Sequence, residues 1–181
     1  MIVFITGGAK NGKSSLAQDL AVSLSKGGPH YYIATMIPSD EEDRARIRRH
    51  VADRDGMGFI TVECGRNILS CLDQVDRAGT LLLDSATALL LNELFPDPSS
   101  CEMDVEAALR CGEELAALAR SVANIVIVSD YIYSDAARYD PVTEVYRKCL
   151  ARIDRKLASI SDTVLEVSGG NIILHKGALI P

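Results

Sequence analysis

Eight consecutive residues near the start of the chain, Gly7, Gly8, Ala9, Lys10, Asn11, Gly12, Lys13 and Ser14, have the types and spacing to hold phosphate. Glycines let successive backbone N–H groups converge on an anion, and a helix opening there adds the positive end of its dipole. Lys13 offers a point charge to the β- and γ-phosphates of a nucleoside triphosphate, and the Ser14 hydroxyl can ligate Mg²⁺. The run fits G-x-x-x-x-G-K-[ST], which carries weight only between a strand and a helix. Both flanks are there: an apolar run at 2–6 precedes it, and a stripe of Leu16, Leu20 and Leu24 follows.

A second candidate is Asp84, which ends the apolar run Leu81, Leu82, Leu83. A carboxylate at the carboxyl end of a buried strand suits Mg²⁺, directly or through water. It can also cap a following helix, and the two roles are compatible. The third candidate is His50, in a basic stretch with Arg44, Arg46, Arg48, Arg49 and Arg54. Arg46, His50 and Arg54 are four apart and share one helical face, where like charges repel by roughly a few tenths of a kcal/mol. A phosphate chain would neutralise them. Cations around His50 favour an uncharged imidazole, a nucleophile able to attack the α-phosphorus of a triphosphate and release pyrophosphate. From residue chemistry alone, a lone histidine on a basic helix reads first as a solvated surface residue. The acidic run before it has a structural explanation, with Ser39 as N-cap and Glu42 completing a capping box.

These residues need a scaffold. Short apolar runs at 2–6, 31–35, 59–62, 80–84, 125–129 and 163–167 alternate with helical stretches at 12–25, 40–53, 67–78, 104–120 and 141–159. Nearly continuous apolar strands between helices predict a parallel sheet covered on both faces. The segment Ser168, Gly169, Gly170, Asn171 reads as a hairpin turn, so an antiparallel strand at 172–174 should end the sheet. The expectation is a three-layer α/β fold in one domain over 1–181, with a surface loop at 96–100.

Composition narrows the function. A net charge of −6 gives no overall reason to bind nucleic acid or an anionic membrane. No stretch approaches the ~20 apolar residues of a membrane span, and the apolar start is too short for a signal peptide. Five cysteines without a C-x-x-C pair and three histidines argue against a disulfide framework or a transition-metal site, and for a reduced cytoplasmic setting.

The segments Ile5 to Ser14, Tyr32-Ile33-Ala34-Thr35, Arg46-Ile47-Arg48-Arg49-His50, Thr61-Val62-Glu63 and Leu83-Asp84-Ser85-Ala86-Thr87, in that order, resemble the bifunctional adenosylcobinamide kinase / adenosylcobinamide-phosphate guanylyltransferase family of cobalamin biosynthesis. The resemblance implies a P-loop NTPase fold of the RecA-like kind and two reactions. A triphosphate, ATP or GTP, phosphorylates the corrinoid substrate adenosylcobinamide. GTP then guanylylates a histidine, which falls on His50, and GMP passes to the substrate phosphate. It also implies Mg²⁺, a homotrimer, and nucleotide contacts at residues 7–14, at Ala34, Thr35 and Met36, at Val51, Ala52, Asp53 and Arg54, and at Glu63 and Asp84. The chain departs from the family's Asn-Glu-Val-Gly and the loop after it at 130–139, where Tyr131, Tyr133 and Tyr139 can stack on a flat ligand or pack the rim. Two competing functions are a P-loop kinase or nucleotidyltransferase for another substrate, or with one of the two activities, and a GTP sensor without turnover. Release of pyrophosphate separates the sensor from the enzymes.

Overall fold

The computed structural model describes residues 1–97, 99–100, 102–133 and 137–179. Seven strands form one sheet in the order β3-β2-β4-β5-β1-β6-β7. They are β1 (Ile2–Gly7), β2 (His30–Ala34), β3 (Ile60–Glu63), β4 (Thr80–Asp84), β5 (Asn124–Asp130), β6 (Thr163–Ser168) and β7 (Asn171–Lys176). All neighbours are parallel except β6 and β7, the hairpin expected at the edge. Five α-helices connect them: α1 (Lys13–Ser25), α2 (Glu41–Asp53), α3 (Ala86–Leu94), α4 (Val105–Ser121) and α5 (Pro141–Ile160).

Strand alternation divides the core. Val3, Ile5, Leu82, Val126 and Val128 face α1, where Ala17, Leu20 and Ala21 cover them. Phe4, Leu81, Leu83, Ile125 and Ile127 face the other way, under Leu89, Leu115, Leu118, Leu150 and Ile153 of α3, α4 and α5. A sheet buried on both faces explains why its strands read as apolar runs without a period of two.

Three expectations are corrected. The stretch 67–78 is not an α-helix but a 3₁₀ helix, Ile68–Asp73. Beyond it the Asp76 carboxylate takes the Ala78 N–H at 2.9 Å and its carbonyl takes the Gly79 N–H at 2.9 Å, a turn that competes with helix. The N-cap of α2 is Asp40, not Ser39: its side chain accepts from the Asp43 N–H at 2.8 Å, and the Asp43 carboxylate takes the Ser39 N–H at 2.9 Å. Glu42 is not part of that exchange. Helix α3 has no counterpart among the expected elements. Of the 96–100 loop, Pro98 lies outside the described residues, as does Cys101; the other four cysteines are buried free thiols.

The α4 side of the core gives a direct test. Leu115 is fully buried, and Leu115→Ala should lower the unfolding free energy by about 2–5 kcal/mol with an unchanged denaturant slope. A loss below about 1 kcal/mol in a urea titration would contradict this packing.

Candidate nucleotide site

The phosphate loop runs from the end of β1 into α1, as the motif requires. Gly12 is the N-cap of α1 at φ 93°, and Lys10 sits at φ 58°. Alternating right- and left-handed residues turn successive N–H groups to one side, which is how such a loop cradles an anion. Gly7 is fixed by a different constraint, since a Cβ there would collide with the Val167 carbonyl. The Asn11 amide donates to that same carbonyl, tying the loop to β6.

Lys13 is 5% exposed. Its ammonium donates to the Gly8 carbonyl at 2.6 Å and to Asn11 Oδ1 at 3.3 Å, and pairs with Asp130 Oδ1 at 2.6 Å. Asp130 ends β5 and lies beside Gly7 in the strand register. Ala9 and Lys10 are exposed, and Gly8, Asn11 and Ser14 are half-buried.

Across β5 from the loop, the ends of β2, β3 and β4 and helix α2 enclose a cavity of about 380 Å³. Ala34, Met36, His50, Arg54, Glu63 and Asp84 all line it, with Tyr32, Arg44, Arg46 and Arg48. Four guanidinium groups against two carboxylates leave it electropositive, which suits a phosphate chain. Arg48 pairs with Glu41 of the same helix at 2.7 Å, whereas Arg46 makes no ion pair among the described residues.

His50 is the one histidine of three placed for chemistry. His30 lies between the Gly28 and Met57 carbonyls at 3.1 and 2.9 Å, packed on Phe59, and His175 pairs with Glu166 at 2.7 Å on the surface. His50 Nδ1 is buried without a hydrogen-bond partner. Nε2 is therefore the nitrogen through which the ring can meet a ligand.

Helix α2 has no buried residue, so the core does not position it. Arg54 at its end does. Its Nη1 donates to the His50 carbonyl at 2.7 Å and its Nη2 to Thr61 Oγ1 at 3.0 Å, while its guanidinium lies 4.0 Å from the centre of the Tyr32 ring. The Tyr32 hydroxyl donates to Asp84 Oδ2 at 3.1 Å. Burial, then the Asp84 charge, push that phenol far above its ordinary range, so it stays a neutral donor. A cation on a buried aromatic face is worth about 1–2 kcal/mol. The His50 helix is thus clamped to the strand that carries Asp84.

Asp84 does not cap α3; Ser85 does, accepting from the Ala88 N–H at 3.2 Å. Oδ1 of Asp84 takes no protein hydrogen bond among the described residues. Asp84 and the Ser14 hydroxyl fit Mg²⁺, a cation that takes one or two protein oxygens and completes its shell with phosphate and water. No denser cluster of three His, Cys, Asp or Glu exists among the described residues.

A family model described as cobinamide kinase / cobinamide phosphate guanyltransferase matches residues 3–174. The chain belongs to this family. It is therefore an enzyme of the kinase and nucleotidyltransferase kind. It is 31% identical over 182 residues to the bifunctional adenosylcobalamin biosynthesis protein CobU of Salmonella typhimurium, covering 93% of this chain and 97% of that one. The CobU of Escherichia coli is 28% identical over 179 residues with the same coverage, 93% and 97%. Among solved structures, the flagellar accessory protein FlaH from Methanocaldococcus jannaschii aligns at TM-score 0.51 and 14% identity, over 97% of this chain and 78% of that one. A type III secretion ATPase aligns at TM-score 0.54 and 14% identity, over 92% and 50%. These two fix the P-loop NTPase fold alone.

In this cobinamide kinase / guanyltransferase family member, not every expected contact faces the cavity. Val51, Ala52 and Asp53 are exposed and line no part of it. Thr35 is fully buried: its hydroxyl donates to the Ser85 carbonyl at 2.8 Å and accepts the Ser85 N–H at 2.7 Å, and its carbonyl takes the Asn92 amide at 2.7 Å. It positions the turn after Asp84. In the 130–139 loop the rim-packing alternative fits the contacts. Tyr131 donates to Glu166 at 3.0 Å, Tyr133 to Asp154 at 2.8 Å, and the Arg147 guanidinium lies 4.6 Å from the Tyr139 ring centre. Residues 134–136 lie outside the described residues. Tyr32 as a carboxylate donor and Asp130 as the lysine's partner were not among the expected site residues; both follow from strand register.

Burial raises the Asp154 carboxyl to about 6, against the hydrogen bond from the Tyr133 hydroxyl at 2.8 Å that lowers it. Because the folded-state value exceeds that of the unfolded chain, its contribution is full below about pH 4 and is lost as pH rises through about 6. Between those limits the wild type should lose on the order of 3 kcal/mol of stability through this group. Asp154→Asn should flatten that slope in urea titrations at pH 4 and pH 8. An equal slope in both proteins would remove Asp154 from this role.

Proposed function

We propose that the chain phosphorylates the terminal hydroxyl of adenosylcobinamide and then transfers GMP from GTP to the resulting phosphate, through a covalent His50–GMP intermediate. The observation that carries this reading is His50 in the electropositive cavity, with Nδ1 buried and Arg46 on the same helix face without an ion pair among the described residues. Family membership supports the two activities, and the names of the relatives support the corrinoid pathway.

The chemistry follows from the residues. The loop and Lys13 hold the β- and γ-phosphates of the triphosphate. The imidazole Nε2 attacks the α-phosphorus, a P–N bond forms, the bond from that phosphorus to the bridging oxygen breaks, and pyrophosphate leaves. An oxygen of the substrate phosphate then attacks the same phosphorus and the imidazole departs. Arg46 is the cation available to the charge that builds on the α-phosphate. Mg²⁺, held by Ser14 and Asp84, would supply charge neutralisation along the triphosphate. Ala34, Met36 and Glu63 border the space available to the rest of the nucleotide. The phosphoryl donor of the first step is ATP or GTP.

We place the reaction in the cytoplasm: four cysteines are free thiols, and no helix of the described residues is long and apolar enough to cross a membrane. A homotrimer is the proposed assembly, to be checked by light scattering on the eluted protein.

With Mg²⁺ and α-labelled GTP, the protein should acquire label that is stable to alkali and labile to acid, the behaviour of a phosphoramidate. His50→Ala should abolish it while nucleotide still binds, and adenosylcobinamide phosphate should discharge it from the wild type. A wild type that binds GTP yet never takes label would end the guanylyltransferase reading.

A further inference from the structure

Helix α2 carries His50 and has no buried residue, so something other than core packing must fix where the imidazole stands. Among the described residues, the hydrogen bonds of its own side chains stay within the helix and the turn before it. Asp43 accepts from the Ser39 N–H at 2.9 Å, Arg44 donates to the Asp40 carbonyl at 3.3 Å, and Arg48 pairs with Glu41 at 2.7 Å. The tie to the sheet comes from Arg54, the residue that ends the helix.

Arg54 is 8% exposed, and its guanidinium is held at three points. Nη1 donates to the His50 carbonyl at 2.7 Å, Nη2 donates to Thr61 Oγ1 at 3.0 Å, and the central carbon lies over the Tyr32 ring, 4.0 Å from its centre. Tyr32 and Thr61 are partners across β2 and β3, so the strand register sets a ring and a hydroxyl side by side under one guanidinium. Tyr32 is itself buried and braced. Phe59 meets its ring edge-on at 6.2 Å, His30 packs on Phe59 at 4.8 Å, and the Tyr32 hydroxyl donates to Asp84 Oδ2 at 3.1 Å. A ring held this way is the fixed partner, and the helix end is the part that is placed.

We propose that Tyr32 is a positioning residue for guanylylation: its ring, acting through Arg54, holds the turn of α2 that carries His50 at the cavity. This rests on the guanylyltransferase half of the proposed function. Attack on phosphorus depends steeply on where the nucleophile stands, and a displacement of about 1 Å can cost about 100-fold in rate. Arg54 grips the carbonyl of His50 itself, so slack at the Tyr32 ring reaches the nucleophile's own peptide unit. Phosphorylation of the substrate hydroxyl makes no use of His50. The ring should therefore matter to one reaction and not to the other.

Tyr32→Phe and Tyr32→Leu both lose the bond to Asp84, and only the first keeps an aromatic face, so the difference between them reports the ring alone. Each is assayed for the rate of labelling by saturating α-labelled GTP, for the Kd of GTP, and for phosphorylation of adenosylcobinamide by ATP. Labelling should be about 10-fold slower in the leucine variant than in the phenylalanine variant, the scale of a lost cation–aromatic contact. The loss should appear in the rate at saturation rather than in Kd, and kinase turnover should be alike in the two. Tyr32→Met, also non-aromatic, takes the place of the leucine variant should that one not fold. Arg54→Lys should slow labelling at least as much, and adding Tyr32→Leu to it should cost little more, because both break the same contact. Equal labelling in the phenylalanine and leucine variants overturns the proposal. So does a fall in kinase turnover as large as the fall in labelling, which would make the ring a support for the fold alone. A wild type that phosphorylates the corrinoid but never takes label sinks the guanylyltransferase reading itself, and that result is visible before any variant is made.

Discussion

A lysine ammonium almost out of water is the constraint from which much of this structure follows. A buried cation costs several kcal/mol unless oxygens surround it. Lys13 finds three of them at once: the Gly8 carbonyl and the Asn11 side chain of its own loop, and Asp130 of β5. Only a sheet with β5 next to β1 brings the last of these within reach, and the parallel register of β1 and β5 sets Asp130 at the level of Gly7. The Asn11 amide draws in β6 through Val167. The loop is thus a junction of three strands and a helix, preorganised before a phosphate arrives. Such preorganisation is where electrostatic catalysis gains most, because no reorientation is needed as charge develops.

The other half of the site is built on an opposite plan. Helix α2 contributes nothing to the core, yet it lines the cavity with Arg44, Arg46, Arg48 and His50. A helix anchored by few buried apolar contacts belongs to the low-stability end of a fold. Its restraint is polar and local, running from Arg54 through Tyr32 to Asp84. That restraint sits at the carboxyl end of the helix, one turn from His50, while the amino-terminal turns are held by Asp40, Asp43 and the Glu41–Arg48 pair.

What was legible in the sequence divides along the same line. The strands were readable because a sheet covered on both faces demands continuous apolar runs, and the loop because its motif is contiguous. Asp84 was readable as a carboxylate ending an apolar run, whereas the cavity residues Ala34, Met36 and Glu63 came with the resemblance. Helix α3 escaped notice because Ala86, Leu89, Leu90 and Leu94 are fully buried and its run of leucines lacks an amphipathic period. The 67–78 stretch misled in the opposite sense, its spacing being helical while Asp76 and Gly79 close a turn. Asp130, Tyr32 and the true position of Thr35 were hidden for a different reason. Each acts through a partner on another element, far off along the chain, and sequence spacing does not report such pairs.

One nucleotide grip serving two reactions needs its reactive groups on different sides of the phosphate chain. Phosphorylation consumes the γ-phosphoryl group and requires a hydroxyl to approach from beyond it, whereas guanylylation requires a nucleophile beside the α-phosphorus. In this sheet β5 separates the two regions. On one side stand β1, the loop and Asp130's partner Lys13; on the other stand β4, β2 and the cavity under α2. In the proposed function the second reaction takes the product of the first as its acceptor, so that product is either handed on within the site or released and rebound. The departure of the 130–139 loop from the family pattern lies on the Asp130 side, with Tyr131 and Tyr133 engaged by Glu166 and Asp154. Physical separation of the two regions means that change on that side leaves the imidazole, its arginines and the Tyr32 clamp untouched.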